Sequence, residues 1–229
     1  MSARDEFLAG AKDITPLAIG VGIYGLAFGV LAAQAGMDGL HTGMMSGIVF
    51  AGSSQIVAIE RIVAGAGAGA AVIAGIALNL RLLLITASLR DQFKGRPWWQ
   101  VALGAHMSAD ENWALMHAAQ NAGRQVGYWY LVAGGLVQFV LWIAATATGA
   151  VIASAIPEPR ALGIDFAFAA AFIAILRGLW RGTGIDLLPW GVSVAVAAAM
   201  VGLTPLDPSW SLIAAGLSGA VAAGLRGRG

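Results

Sequence analysis

Long apolar stretches fill the chain, cut by short polar interruptions. Residues 14–35, 65–89, 128–155, 187–203 and 210–225 each hold an apolar run near the length of about 20 residues that a helix needs to cross a bilayer. Pro16 falls in the first turn of the first run, where a proline is tolerated. Residues 165–176 are apolar but short, and cross only if the helix continues through Leu179-Trp180. Residues 43–64 are long enough to cross, yet polar groups interrupt them at Gly52-Ser53-Ser54-Gln55. Residues 100–122 read as helical but carry His106, Asp110, Glu111, His117 and Gln120, too many polar groups to face lipid all round. The pattern predicts an all-α fold, a polytopic helical membrane protein. It has about six spans, a broken or re-entrant segment near residues 43–64 and a polar helix near residues 100–122. Residues 1–229 form a single integral membrane domain, with residues 1–13 as a cytoplasmic N-terminal segment.

Composition agrees. The 229 residues are 59% hydrophobic and 11% charged, against roughly 25% charged in a soluble domain. The 32 glycines permit close helix approach and broken helices. Without cysteine there is no disulfide framework and no thiolate metal site. A net charge of +1 and the absence of a basic run with interleaved aromatics argue against nucleic acid as a partner. Residues 1–13 mix acids and bases, unlike a cleaved signal.

Lys and Arg placement bears on topology. If every stretch crosses in turn, Arg90, Lys94 and Arg96 fall opposite Arg4 and Lys12, against the positive-inside rule. If residues 43–64 dip in and return, with the bend at residues 52–55, and residues 100–122 stay on the inner side, the charges regroup. Ten of the 13 basic residues are then cytoplasmic, leaving Arg61 and Arg160 outside and Arg81 within the bilayer.

The polar interruptions carry the candidate chemistry. Unsatisfied polar groups in hydrocarbon cost several kcal/mol each, so Gly52, Ser53, Ser54, Gln55, Asn79 and Arg81 must face protein, water or a solute. A helix broken at mid-membrane exposes N–H and C=O ends suited to a carboxylate and to a cation. The competing reading is that Ser and Gln only bond neighbouring helices. Asn79 and Arg81 lie about 200° apart on a helix and share no face. Arg81 sits about 12 Å along the axis from Leu89, deep for snorkelling. It either binds a carboxylate or pairs with Glu60, Asp110, Glu111 or Asp165. His106, Asp110, Trp113 and His117 fall on one helical stripe that relays protons, ligates a metal or simply faces water. No tight metal-ligand pair supports a metal site. Asp165 starts a helix as an N-cap or carries a proton. Gln138, Trp142 and Thr146 form a further stripe that reads as helix packing. Ser53 or Ser54 with His106 or His117 would supply a nucleophile and a base, but no spacing supports an enzyme.

Four pieces together resemble the AzlC family, the large subunit of two-component bacterial branched-chain amino-acid exporters. They are Phe50-Ala51-Gly52-Ser53-Ser54-Gln55, Leu78-Asn79-Leu80-Arg81, Asp110-Glu111 ahead of an apolar helix, and Gly163-Ile164-Asp165-Phe166. The resemblance covers residues 10 to about 205. One departure is Ala109 directly before the acidic pair, where a Thr or Ser is expected. The resemblance implies a secondary transporter subunit in the bacterial inner membrane, with a cytoplasmic N-terminus. It would export valine, leucine, isoleucine or related neutral amino acids, coupled to an ion or proton gradient. It implies a small hydrophobic membrane partner of the AzlD type, no cofactor, and no ATP hydrolysis by this chain. Residues 52–55 with Asn79 and Arg81 would contact substrate, and Asp110, Glu111, Asp165 or His106 would couple a proton or form ion pairs. The alternatives are a passive solute channel and a non-transporting assembly subunit.

Overall fold

The computed structural model describes residues 2–155, 177, 180–206 and 208–226. Every regular element among them is helical. Among the described residues, four helices are long and apolar enough to cross a membrane: α1 (Ala3–Gln34), α4 (Gly67–Ser88), α8 (Tyr128–Ile152) and α9 (Thr183–Leu203).

The first helix begins earlier than its hydropathy indicates. Ser2 Oγ accepts from the Asp5 N–H at 3.2 Å while the Asp5 carboxylate accepts from the Ser2 N–H at 3.3 Å, a capping box that starts the helix at Ala3. Pro16 therefore sits in the helix interior, not in its first turn. The 32 residues of α1 reach roughly 48 Å, well beyond a hydrocarbon core of about 30 Å. The polar first third is tied to the start of α8. Glu6 accepts from the backbone N–H groups of Gly127 and Tyr130, and Asp13 accepts from Arg124 at 2.6 Å and from the Tyr130 hydroxyl at 2.9 Å.

Helices α1 and α8 run parallel. Gly10 lies on the backbone of Tyr130, Gly22 on Leu141, and Gly29 on the backbones of Thr146 and Ala150, so residue numbers rise together along the contact. A Cβ at Gly10 or Gly29 would overlap the facing main chain. Close backbone approach is what small residues give membrane helices.

Two broken hairpins enter this spine from opposite ends. The chain leaves α1 through Asp38, whose side chain accepts from the His41 N–H at 2.8 Å and caps α2 (Gly39–Val49). That bond, with the His41 ring beside it, holds the Asp38 carboxyl below its ordinary range. Helix α2 descends antiparallel along α8, with Gly39 near Val151, Gly43 near Ala147 and Gly47 near Ile143. At Phe50 the backbone turns left-handed (φ 39°, ψ 50°), and α3 (Gly52–Val63) heads back. Ile56 and Ile59 of α3 pack with Phe28 and Ala32, near the end of α1 from which α2 started. The segment is re-entrant, as the charge count predicts. Its break lies at Phe50-Ala51 and not at residues 52–55, which form the first turn of α3.

Helix α4 returns antiparallel to α3 and delivers Leu89 against Met116, Val126 and Tyr130, at the end where α8 begins. After one turn, α5 (Arg90–Phe93), helix α6 (Trp98–His106) starts beside Tyr128, whose hydroxyl donates to the Gln100 carbonyl at 2.8 Å. It runs inward until His106 meets the Phe139 ring. The helix then breaks over residues 107–109, and α7 (Asp110–Asn121) retreats to the same end, where Gln120 donates to the Val126 carbonyl at 2.8 Å. The single polar helix expected over residues 100–122 is thus two. The stripe of His106, Asp110, Trp113 and His117 does not exist as one helical face. Side chains satisfy the groups the break frees: Ser108 Oγ donates to the Gly104 carbonyl, and Asn112 donates to the Met107 and Leu131 carbonyls at 2.7 and 3.0 Å.

Toward the C-terminus, α9 and α10 (Pro208–Arg226) pack on each other, and α10 touches α4. Buried Asp186 accepts from Arg181 at 2.7 Å. The expected span at residues 165–176, with Asp165, lies outside the described residues.

Candidate functional site

The two hairpin tips meet near the middle of the bundle, and a cavity of about 60 Å³ lies between them. The first tip contributes Phe50, Ala51, Gly52 and Ser53; the second contributes Ala109, Asp110 and Glu111. Val21 and Tyr24 of α1, Arg81 and Leu82 of α4, and Gln138 and Trp142 of α8 complete the wall.

Each tip ends in the start of a helix. Neither Ala51 nor Ala109 offers a side-chain cap to the helix that follows, so the first-turn N–H groups of α3 and α7, at residues of the cavity wall, have no cap from the residue before them. Helix starts carry partial positive charge and favour anions. At α7 the chain supplies its own anions in Asp110 and Glu111. At α3 it supplies none: Gly52 and Ser53 leave that end open to an outside carboxylate.

Arg81 joins the tips. One guanidinium nitrogen donates to Ser53 Oγ at 2.7 Å, and another pairs with the Asp110 carboxylate at 2.9 Å. Both side chains of the pair are about one-third exposed, toward the cavity opening. Glu111 accepts from Gln138 Nε2 at 3.2 Å.

Behind the cavity wall, the α8 stripe turns out to be the frame of both hairpins. Thr146 donates to Ser46 Oγ at 2.9 Å, and Trp142 Nε1 donates to Gln55 Oε1 at 3.1 Å. Gln55 in turn donates to Ser46 Oγ at 3.3 Å, stapling α2 to α3. Ser54 Oγ bonds the Ala51 carbonyl at 2.8 Å. Ser54 and Gln55 therefore stand behind the wall, while Gly52 and Ser53 form it.

Arg81 and Asp110 come together as one of the pairings the sequence allows. Asn79 points elsewhere, as its 200° offset requires, and is not part of the cavity wall. His106 is exposed, with its ring against Phe50 and Phe139 outside the cavity. His117 stacks edge-on with Trp113, whose Nε1 donates to Ser88 Oγ at 2.8 Å. Tyr24 and Leu82 enter the wall with no sequence signal of their own. Gln138 and Trp142 had the inward spacing, which reads equally well as packing. Among the described residues no three His, Asp or Glu side chains gather as metal ligands.

The AzlC protein family matches residues 16–156, a stretch that holds most of the spine, both hairpins and the whole cavity wall. Among curated relatives, the Branched-chain amino acid transport protein AzlC of Bacillus subtilis is 24% identical over 184 residues, covering 79% of this chain and 72% of that one. Inner membrane protein YgaZ of Escherichia coli is 28% identical over 222 residues, covering 94% and 86%. An uncharacterized membrane protein of Helicobacter pylori J99 is 27% identical over 198 residues, covering 83% and 85%. No solved structure matches the chain. With a family match over more than half its length and a polytopic helical fold built around two re-entrant hairpins, the chain belongs to the AzlC family of membrane proteins.

Proposed function

We propose that the chain is the transporting subunit of a secondary exporter for branched-chain or related neutral amino acids in the bacterial inner membrane. The observation that carries this reading is the cavity between the two hairpin tips, where a guanidinium and an open helix start face two carboxylates. A zwitterion has the same two poles. Its carboxylate fits Arg81, Ser53 and the first-turn N–H groups of α3, and its ammonium fits Asp110 or Glu111. An aliphatic side chain finds Val21, Leu82, Phe50 and Trp142. Broken helices whose ends meet a solute at mid-membrane are a recurrent transporter device. The name of the Bacillus subtilis relative, a branched-chain amino acid transport protein, supports the same solute class.

Transport is coupled to an ion or proton gradient, and the chain works with a small hydrophobic membrane subunit of the AzlD type. Arg4, Lys12, Arg90, Lys94, Arg96 and Arg124 lie at the end of the bundle where the chain starts, and the positive-inside rule makes that end cytoplasmic.

The test is radiolabelled leucine in everted vesicles holding the chain and its small partner. Wild type accumulates leucine under an imposed pH gradient and shows counterflow, and Arg81→Ala loses both by at least about tenfold, the loss of one well-made ionic contact. Downhill flux without counterflow identifies a passive channel instead. Unchanged transport by a stably expressed Arg81→Ala protein removes Arg81 from the site.

A further inference from the structure

We propose that Glu111, with Gln138 beside it, is a single exchange position holding either a proton or the ammonium of the substrate, never both. The proposal rests on reading the cavity as an amino-acid site and specifies how that site is coupled.

The ionisable groups around the cavity can be counted by element. Among the described residues, α1 presents Tyr24 to the wall, α4 presents Arg81, and α7 presents Asp110 and Glu111; Glu60 of α3 lies outside the wall, though close enough to act on Tyr24. His106 of α6 faces the Phe50 and Phe139 rings instead. Arg81 and Asp110 offset each other at 2.9 Å, and a tyrosine phenol is neutral near pH 7. Among the described wall residues one negative charge is left over, on Glu111. An uncompensated charge in an apolar bundle is strongly disfavoured, so something positive must sit there in every long-lived state.

Gln138 is built for two different occupants. It is buried, its Nε2 donates to Glu111 at 3.2 Å, and its Oε1 is buried without a hydrogen-bond partner among the described residues. A carboxamide offers donors on one side and an acceptor on the other. An ammonium held by Glu111 gains Oε1 as a second acceptor. A protonated Glu111 gains the same Oε1 as the acceptor for its own O–H once the amide turns over. An orphaned acceptor next to a carboxylate that has no cationic partner among the described residues marks a place where a cation belongs.

The exchange balances. An amino acid arriving as the zwitterion places its ammonium on Glu111, and the carboxyl O–H of Glu111 breaks, its proton leaving to solvent. The substrate carboxylate goes to Arg81 and Ser53. After release on the other side, a proton rebinds the same carboxylate and the emptied cavity returns with it. Outward amino acid and inward proton are then linked by mutual exclusion at one carboxyl group.

The experiment measures proton release when leucine is added to the purified complex of the chain with its small subunit, in weakly buffered detergent with a pH indicator. Wild type should release about one proton per leucine bound on the acid side of the transition, as full competition requires. Glu111→Gln should bind without release. Glu111→Asp should release with the pH of half-maximal release shifted. Release that persists in Glu111→Gln overturns the proposal, and so does an unshifted midpoint in Glu111→Asp, which decides the matter should the Gln variant fail to bind. Leucine counterflow by a wild type that releases no proton overturns the exchange position while leaving the proposed transport intact; absence of counterflow in wild type removes the transport reading beneath it.

Discussion

The two hairpins are alike in outline and opposite in chemistry. Each pairs a short helix of 9 to 12 residues with another, each turns near the middle of the bundle, and each presents a helix start to the same cavity. The first is held by neutral side chains, Gln55 with Ser46, Trp142 and Thr146, and its tip carries only a hydroxyl and bare backbone. The second is held by one buried amide, Asn112, and its tip carries two carboxylates. In the proposed amino-acid site this contrast would serve the two poles of a zwitterion: the first tip would take the carboxylate through backbone dipole and the second would supply the anions, while Arg81 bonds both tips.

This difference can be tested by asking which tip collapses first. Asn112→Ala should destabilise most, by about 3 kcal/mol, because it leaves the Met107 carbonyl and the Ala109 N–H buried without partners. Gln55→Ala should do less, about 1–2 kcal/mol, since Ser46 keeps Thr146 and only the indole N–H of Trp142 is stranded. Thermal unfolding of the two variants in detergent compares them directly. Equal losses would mean that the two tips are not held by different means. Arg81→Leu comes next, at about 1–2 kcal/mol, because it leaves Asp110 unpaired in a site about one-third exposed. Adding Asp110→Leu should recover part of that loss, and a double variant weaker than the single would show that the pair does not couple the tips. Smallest is Thr146→Val, at about 0.6 kcal/mol, the usual worth of a hydrogen bond between membrane helices. Detergent-titrated unfolding resolves it against wild type.

Much of this arrangement was legible in the residues, and what was not has definite causes. The re-entrant path of residues 43–64 follows from the polar interruption at residues 52–55 taken together with the Lys and Arg count. Its break was misplaced by two residues because polar side chains mark the first turn of the returning helix, not the turn itself. The turn is Phe50-Ala51, with neither glycine nor proline to announce a left-handed backbone. The second break was hidden in the same way, since Met107-Ser108-Ala109 has no helix-breaking residue. Its signal was the run Asp110-Glu111-Asn112: two acids and an amide, suited to a helix start and read as the middle of a stripe. Arg81 and Asp110 were among the named pairings, but only three-dimensional packing could choose between four acids. Pro16 was misread because the capping box at Ser2 and Asp5 lies outside the apolar run that hydropathy detects.

The parallel contact of α1 with α8 also sets an order of assembly. Thr146 and Ser46 are 100 residues apart in sequence, and at about 5–20 residues per second a ribosome takes roughly 5–20 s to travel from one to the other. During that interval the first hairpin has no frame: α2 has no α8 to lie on, Gln55 has no Trp142, and the glycine face of α1 is bare. Half-helices of 11 and 12 residues are too short to hold a position across the bilayer unaided. The nascent chain must therefore wait at the insertion machinery with the polar side chains of its first hairpin unburied, and the fold closes only when the eighth helix arrives.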